Sequence, residues 1–257
     1  MQERKGIKIN LTKITKDKKE GISDLVAREV PFSIFLNGTK IVTLQCTPEN
    51  YRYLGLGFLY TSGFMQKKED IQSIKIDEKQ NLMNLKLRST SFIPEDIMKN
   101  SLQIGIYQTE KKKKELLFND FPLYIKKNQV FELIAKMQEK AEFFRLTGGT
   151  HSCALADKNG SILIFSEDIS RYNTIDKILG EAFIEDITMT DKIILTSCRI
   201  TSGILFKIMS AKIPIIISRA AATDYAIGLA EQSGITLVGF VRGEKMNIYS
   251  HPERIEI

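Results

Sequence analysis

Near the end of the chain, Phe240-Val241-Arg242-Gly243-Glu244-Lys245 puts two cations and a glycine turn at the close of an apolar strand, Gly234 to Phe240. Free backbone N–H groups in such a turn, flanked by positive side chains, can hold an anion. A plain surface hairpin is the other reading of the segment taken alone. Two further strand ends carry similar chemistry, Ser197-Cys198-Arg199 and Ser218-Arg219. Thr201-Ser202-Gly203 opens a helix beside Arg199, where the helix dipole also favours negative charge. Three arginines at three strand ends predict one positive cleft; the alternative is that each pairs with a local acid.

A second group of residues could do covalent chemistry. Thr147-Gly148-Gly149-Thr150-His151-Ser152-Cys153 leads a loop into a strand, where His151 and Cys153 fall on the same face. An imidazole beside a thiol can hold it as thiolate, the form that attacks or carries sulfur. Cys198 is expected to gain acidity from Arg199 and the following helix start. For Cys153 the alternative is an inert core thiol; Cys46 sits in a strand and reads as core. Between these blocks, Ser166 to Asn173 mixes Glu167, Asp168 and Arg171 ahead of a helix carrying Asp176 and Lys177. Asn173 with Asp176 three residues on reads as a capping box, which leaves Glu167, Asp168 and Arg171 without a local explanation.

The elements that must position these residues follow from periodicity. Val30 to Leu36 and Lys40 to Cys46 flank Asn37-Gly38, a hairpin turn that accepts positive φ. Thr47 caps and Pro48 opens a helix over Tyr51 to Ser62, which Gly63 ends. Ile74 to Ile76 and Leu82 to Leu87 read as strands. Residues 90–122 are irregular, with Pro94, Pro122 and the run Lys111 to Lys114, and a domain boundary is placed near Pro122. An Asn128-capped helix over Gln129 to Phe144 turns Phe131, Ile134, Ala135, Gln138 and Ala141 inward. Beyond it, strands at 152–156, 162–165, 193–196, 214–217 and 235–240 alternate with helices at 173–185, 201–211 and 224–232. That alternation predicts an α/β domain with a mostly parallel sheet over residues 123–257. Residues 1–122 form a smaller α+β domain, with 1–24 flexible. Ligands of such sheets bind at the carboxyl ends of the strands, where the arginines lie.

At 257 residues, with 43% hydrophobic and 26% charged residues, the chain has ample material for packed cores. No apolar run reaches the roughly 20 residues of a membrane span, and the lysine-rich start has no apolar centre of a secretory leader, so a cytoplasmic location is expected. The net charge of +6 suits an acidic partner. Because no basic motif is interleaved with aromatics, that partner is read as a phosphorylated small molecule rather than nucleic acid. Three scattered cysteines argue against disulfides, and two histidines are too few for a zinc cage.

Taken together, these blocks resemble the formate dehydrogenase accessory family of the FdhD/NarQ type, from about Val26 to Arg254. The resemblance rests on Arg28-Glu29-Val30-Pro31 with Asn37-Gly38, Thr147 to His151, and Glu167-Asp168 through Arg171, Asn173, Asp176 and Lys177. It continues through Arg199, Ser202-Gly203, Ser218-Arg219, Val238-Gly239-Phe240 and Tyr249 to Arg254. It implies a cytidine-deaminase-like C-terminal domain that binds the molybdenum bis(molybdopterin guanine dinucleotide) cofactor, for which a guanine nucleotide can substitute. It implies sulfur transfer from a cysteine desulfurase, delivery to formate dehydrogenase, and a homodimer. The family's cofactor-binding segment matches Phe240, Val241, Arg242, Gly243, Glu244 and Lys245, and the two pyrophosphates would account for Arg171, Arg199, Ser218 and Arg219.

One departure stands out. Sulfur-transferring members usually carry a Cys-x-x-Cys pair where this chain reads Ser89-Thr90-Ser91-Phe92-Ile93-Pro94. Sulfur would then pass through Cys153, with His151, or through Cys198, or else the chain is a cofactor or guanine-nucleotide chaperone without sulfur transfer. The deaminase fold does not bring deaminase chemistry: His-x-Glu and Pro-Cys-x-x-Cys are both missing, so no metal site is expected.

Overall fold

The computed structural model describes residues 5–88 and 123–257. The boundary near Pro122 and the stretch 89–94 lie outside the described residues. Among those described, no helix is long and apolar enough to cross a membrane.

The chain opens with a long antiparallel hairpin, β1 (Gly6–Ile14) and β2 (Lys19–Ala27), where a flexible arm was expected. Its alternation is masked in the sequence by lysines and asparagine between the isoleucines, and Ile7, Ile9 and Ile14 stay well exposed. A four-stranded sheet follows, in the order β4-β3-β6-β5, built from β3 (Val30–Leu36), β4 (Thr39–Cys46), β5 (Ile71–Asp77) and β6 (Leu82–Leu87). As expected, Asn37 and Gly38 both take positive φ, 51° and 86°, and close the β3–β4 turn. Helix α1 (Tyr51–Thr61) packs on this sheet through Leu54, Leu56 and Leu59.

The remaining residues form one α/β layer structure. β7 (Ile125–Lys126) leads into α2 (Lys127–Lys140) and α3 (Glu142–Thr147). The sheet proper comprises β8 (His151–Asp157), β9 (Ile162–Asp168), β10 (Lys192–Thr196), β11 (Ile215–Ser218), β12 (Thr236–Arg242) and β13 (Lys245–Ser250), ordered β13-β12-β11-β10-β8-β9. The expected parallel arrangement is confined to β10, β11 and β12; antiparallel hairpins β8–β9 and β12–β13 extend it at the two edges. Helices α4 (Arg171–Ile184), α5 (Ser202–Ser210) and α6 (Asp224–Ser233) cover one face, and α2 covers the other. β14 (Ile255–Glu256) pairs with β7, tying the end of the chain to the entry of α2.

Two local expectations are corrected. The expected helix 129–144 is two helices, broken at Ala141 where ψ reaches 59°. The buried stripe of α2 is Val130, Leu133, Ile134 and Met137, so Ala135 faces solvent, and the cap is a Gln129 side chain accepting from the Lys126 amide rather than Asn128. The break turns Phe143 inward (3% exposed) and Phe144 outward (45%).

The two units are joined by the tightest helix contact among the described residues. A Cβ on Gly57 of α1 would fall 1.8 Å from the Asp176 carbonyl oxygen, and one on Gly180 of α4 would fall 2.0 Å from the Tyr53 carbonyl oxygen. Both obstacles are backbone, which cannot swing aside, so only glycine permits this crossing. Gly57→Ala or Gly180→Ala must separate α1 from α4 and is expected to cost about 3 kcal/mol or more in denaturant unfolding. Gly228→Ala, in α6 with open space where its Cβ would go, is expected to be neutral or to stabilise by about 0.5–1 kcal/mol.

Candidate functional site

The site is built around the last residues of β9. Asp168 is fully buried and accepts from five donors: the Thr47 amide (3.1 Å), the Thr47 hydroxyl (2.9 Å), the Ser170 amide (2.9 Å), Asn173 Nδ2 (2.9 Å) and Lys177 Nζ (2.7 Å). Lys177 is 1% exposed and also donates to the Thr47 hydroxyl at 2.9 Å. These contacts replace the expected capping roles. Thr47 does not cap α1, whose entry is Asn50 in the left-handed region, and Asn173 reaches the Gln45 carbonyl instead of capping α4. The same residues thus bolt the N-terminal unit to the strand end. Asp176, expected in a capping box, is instead ion-paired with Lys207 at 2.8 Å and accepts from Thr61 at 3.0 Å. Burial raises its pKa despite the Lys207 charge.

Glu167 accounts for the other side. Its carboxylate accepts from the Phe143 and Phe144 amides at 3.1 and 2.8 Å and from the Thr150 hydroxyl at 3.2 Å. It therefore holds the start of α3 and the Gly148–Gly149 loop over the strand ends. Beneath that loop lies a cavity of about 820 Å³. Met137, Ala141 and Phe144 make its apolar wall; Thr150, His151, Ser152, Ser197 and Arg219 make its polar floor. The volume is that of a nucleotide-sized ligand.

Of the expected arginines, Arg219 lines this floor. Arg171 and Arg199 both act on His151, whose pKa is lowered by burial and then by Arg171, against a smaller opposing pull from Asp168. Arg242 donates from Nε to the Arg219 carbonyl at 3.4 Å and lies 5.6 Å from the Phe240 ring centroid. Among the described residues none of Arg171, Arg199, Arg219 and Arg242 makes a salt bridge with a carboxylate. The alternative of local acid partners is therefore not realised, and their charge is free for an external anion. Phe240 adopts φ 52°, a conformation that costs an aromatic residue about 1 kcal/mol or more. It is held there by its amide donating to the Ala220 carbonyl at 3.0 Å, next to Gly239, where a Cβ would meet that same oxygen at 2.9 Å.

Several expected site residues lie elsewhere. Val241 is 1% exposed and belongs to the core under α2. Ser218 is spent internally, donating to the Cys198 carbonyl at 2.6 Å and accepting from the Ala220 amide. Gly243, at φ 56°, forms the turn itself, while Glu244 and Lys245 line a different cavity, beside Lys127 and Phe131. The thiols also differ from expectation. Cys153 is 0% and Cys198 1% exposed, and burial pushes both pKa values up. The neighbouring Cys198 raises Cys153 further, and hydrogen bonds from Thr196 and Ser197 relieve Cys198 only in part. His151 belongs to the cavity floor and, with its own pKa lowered, does not supply the positive charge a thiolate needs. Cys46 is core as expected, pushed up to about 12 by burial and by Asp168. The residues not anticipated are the cavity wall, Met137, Ala141 and Phe144. The glycine pair before His151 is the signal that could have pointed to them.

Comparison with known proteins decides the family. The FdhD/NarQ family profile matches residues 27–256. The chain belongs to this family. It is 33% identical over 249 residues to Sulfur carrier protein FdhD of Shouchella clausii (strain KSM-K16), covering 92% of this chain and 91% of that protein. To the protein of the same name from Bacillus subtilis (strain 168) it is 32% identical over 242 residues, 91% of each. A crystal structure described as a formate dehydrogenase accessory protein from Desulfotalea psychrophila matches with a TM-score of 0.80 at 26% identity, over 98% of this chain and 99% of that one. That solved structure shares this mixed α/β architecture, and the fold class expected from the sequence holds.

The burial of all three thiols carries a direct expectation. The native protein treated with N-ethylmaleimide should label none of Cys46, Cys153 and Cys198 within minutes, and all three once unfolded. Fast labelling of Cys153 or Cys198 in the native protein would contradict the sealed environment described.

Proposed function

We propose that this chain is an accessory protein for formate dehydrogenase that binds the molybdenum bis(molybdopterin guanine dinucleotide) cofactor and supports its sulfuration and delivery. Family membership supports the accessory role, since relatives at 31–35% identity are named sulfur carrier proteins. The observation that carries the cofactor is a nucleotide-sized cavity floored by His151 and Arg219, with Arg171 and Arg199 acting on His151 and Arg242 held on the Arg219 carbonyl. None of these arginines is in a salt bridge with a carboxylate among the described residues. A ligand with two pyrophosphates would neutralise them, and helix and turn amides at the strand ends add to that field. The partners this reading entails are a cysteine desulfurase, formate dehydrogenase and a second copy of this chain, working in the cytoplasm.

A second reading, a cofactor chaperone that relays no sulfur on its own thiols, is favoured by one observation. The Cys-x-x-Cys pair is absent from the sequence and the three cysteines present are buried. Both readings require the anion site.

GDP is the accessible probe of that site. Isothermal titration should give a 1:1 complex whose affinity falls as salt rises, because the phosphates meet screened, exposed cations. Arg242→Ala should weaken it about tenfold, as expected for one charge-assisted contact, while Cys46→Ser should leave it unchanged. An affinity indifferent to both Arg242→Ala and salt would remove the phosphate role.

A further inference from the structure

The cavity beside Lys127 and Phe131 has a volume of about 740 Å³ and shares no residue with the one beneath α3. Five consecutive residues, Glu244 to Ile248, line it, and no residue of β12 does. Successive side chains of a strand point to opposite faces, so a cavity touching all five lies along the strand's edge. That edge is open. β13 pairs with β12 on one side, and among the described residues no strand pairs with its other side. The slot therefore runs beside about 16 Å of backbone, at roughly 3.3 Å per residue, with N–H and C=O groups available for pairing.

Apolar surface is left half-covered in the same place. Met246, Ile248 and Phe131 pack on the core under α2 but stay partly exposed at the slot. An unused strand edge beside unfinished apolar cover is what strand addition consumes. The charge selects the occupant. Lys127 and Lys245 are exposed and, among the described residues, in no salt bridge. Glu244 is the single acidic side chain in the lining, and the positive end of the α2 dipole lies at Lys127. A second copy of β13, Lys245–Ser250, brings another lysine and no acid, so by charge it is the poorer match.

We propose that the β13–α2 slot is the docking site for an extended acidic segment of a partner protein, which adds to the six-stranded sheet beside β13. Alternate apolar side chains of that segment cover Met246, Ile248 and Phe131, and its side-chain carboxylates meet Lys127 and Lys245. The nucleotide reading above is not needed for this.

The probe is a fluorescein-labelled octapeptide alternating valine with glutamate, acetylated and amidated so that only side chains carry charge. Its control alternates valine with lysine. The glutamate peptide should bind 1:1 and more weakly as salt rises, with the control at least about tenfold weaker. Lys127→Glu should reverse that preference; the residue is exposed, and an unchanged melting temperature checks the fold. Methylating alternate amides of the peptide should abolish binding in one frame and spare it in the other, because only one edge of an added strand pairs. Hydrogen exchange should show new protection at Lys245–Ile248 in the complex. No binding of the glutamate peptide, equal binding of the control, or equal tolerance of both methylation frames would overturn the proposal. So would protection that appears away from β13. A dimer in analytical ultracentrifugation whose β13 amides are already protected without peptide would give the edge to a second copy and overturn it too.

Discussion

The buried Asp168–Lys177 pair is the contact on which the rest of this structure depends. Two opposite charges with almost no exposure are stabilising only when every remaining donor and acceptor is met, and here Thr47, Ser170 and Asn173 complete the set. One of those partners comes from the N-terminal unit, so the pair is a joint between units as well as an anchor within one. The Asp176–Lys207–Thr61 contact repeats the device at the neighbouring residue of α4, and the Gly57–Gly180 crossing brings the backbones close enough for both. Together they make α1 and α4 a single rigid wedge, with the strand ends of the α/β layer fixed at its tip.

That rigidity explains why the cations at the strand ends can remain unpaired. Guanidiniums on mobile loops would find carboxylates or spread into solvent. Arg171 begins a helix whose first turn is pinned by Asp168, and Arg242 is held against the Arg219 backbone. The neighbouring carboxylates Glu167 and Asp168 are already taken by internal donors. The local acids are thus withdrawn into the frame, and the positive field is left for a ligand. The same close packing seals Cys153 and Cys198 under α4 and α5, where desolvation outweighs any help from nearby positive charge.

Much of this was legible in the sequence. Strand–helix alternation with apolar runs such as Ile215 to Ile217 announced the α/β layer, and Asn37-Gly38 announced its hairpin. The arginines were found because ligands of such layers sit at strand ends. What could not be read were the long-range partners. Thr47 and Pro48 look like a helix cap, and nothing local says that Thr47 reaches a carboxylate 121 residues away. Periodicity placed α2 but not the break at Ala141, a backbone dihedral choice that decides which of two adjacent phenylalanines faces the cavity. The β1–β2 hairpin was missed because its apolar residues alternate with lysine and asparagine, leaving a pattern polar enough to read as a tail. Thiol acidity was misjudged since sequence neighbours name the charges nearby but not the burial that overrides them.

The claim joining these observations is that the buried pair positions the anion site. Its direct test is the GDP affinity of Lys177→Met, measured at a temperature where the variant is still folded. Removing one partner of a buried pair should lower stability by about 3–5 kcal/mol, and the freed Asp168 should let the start of α4, with Arg171, drift from His151. The account predicts a clear loss of GDP affinity in the folded variant, partly regained when Asp168→Asn is added. A folded Lys177→Met protein that binds GDP as wild type does would contradict it, leaving the pair as a structural bolt with no hold on the site.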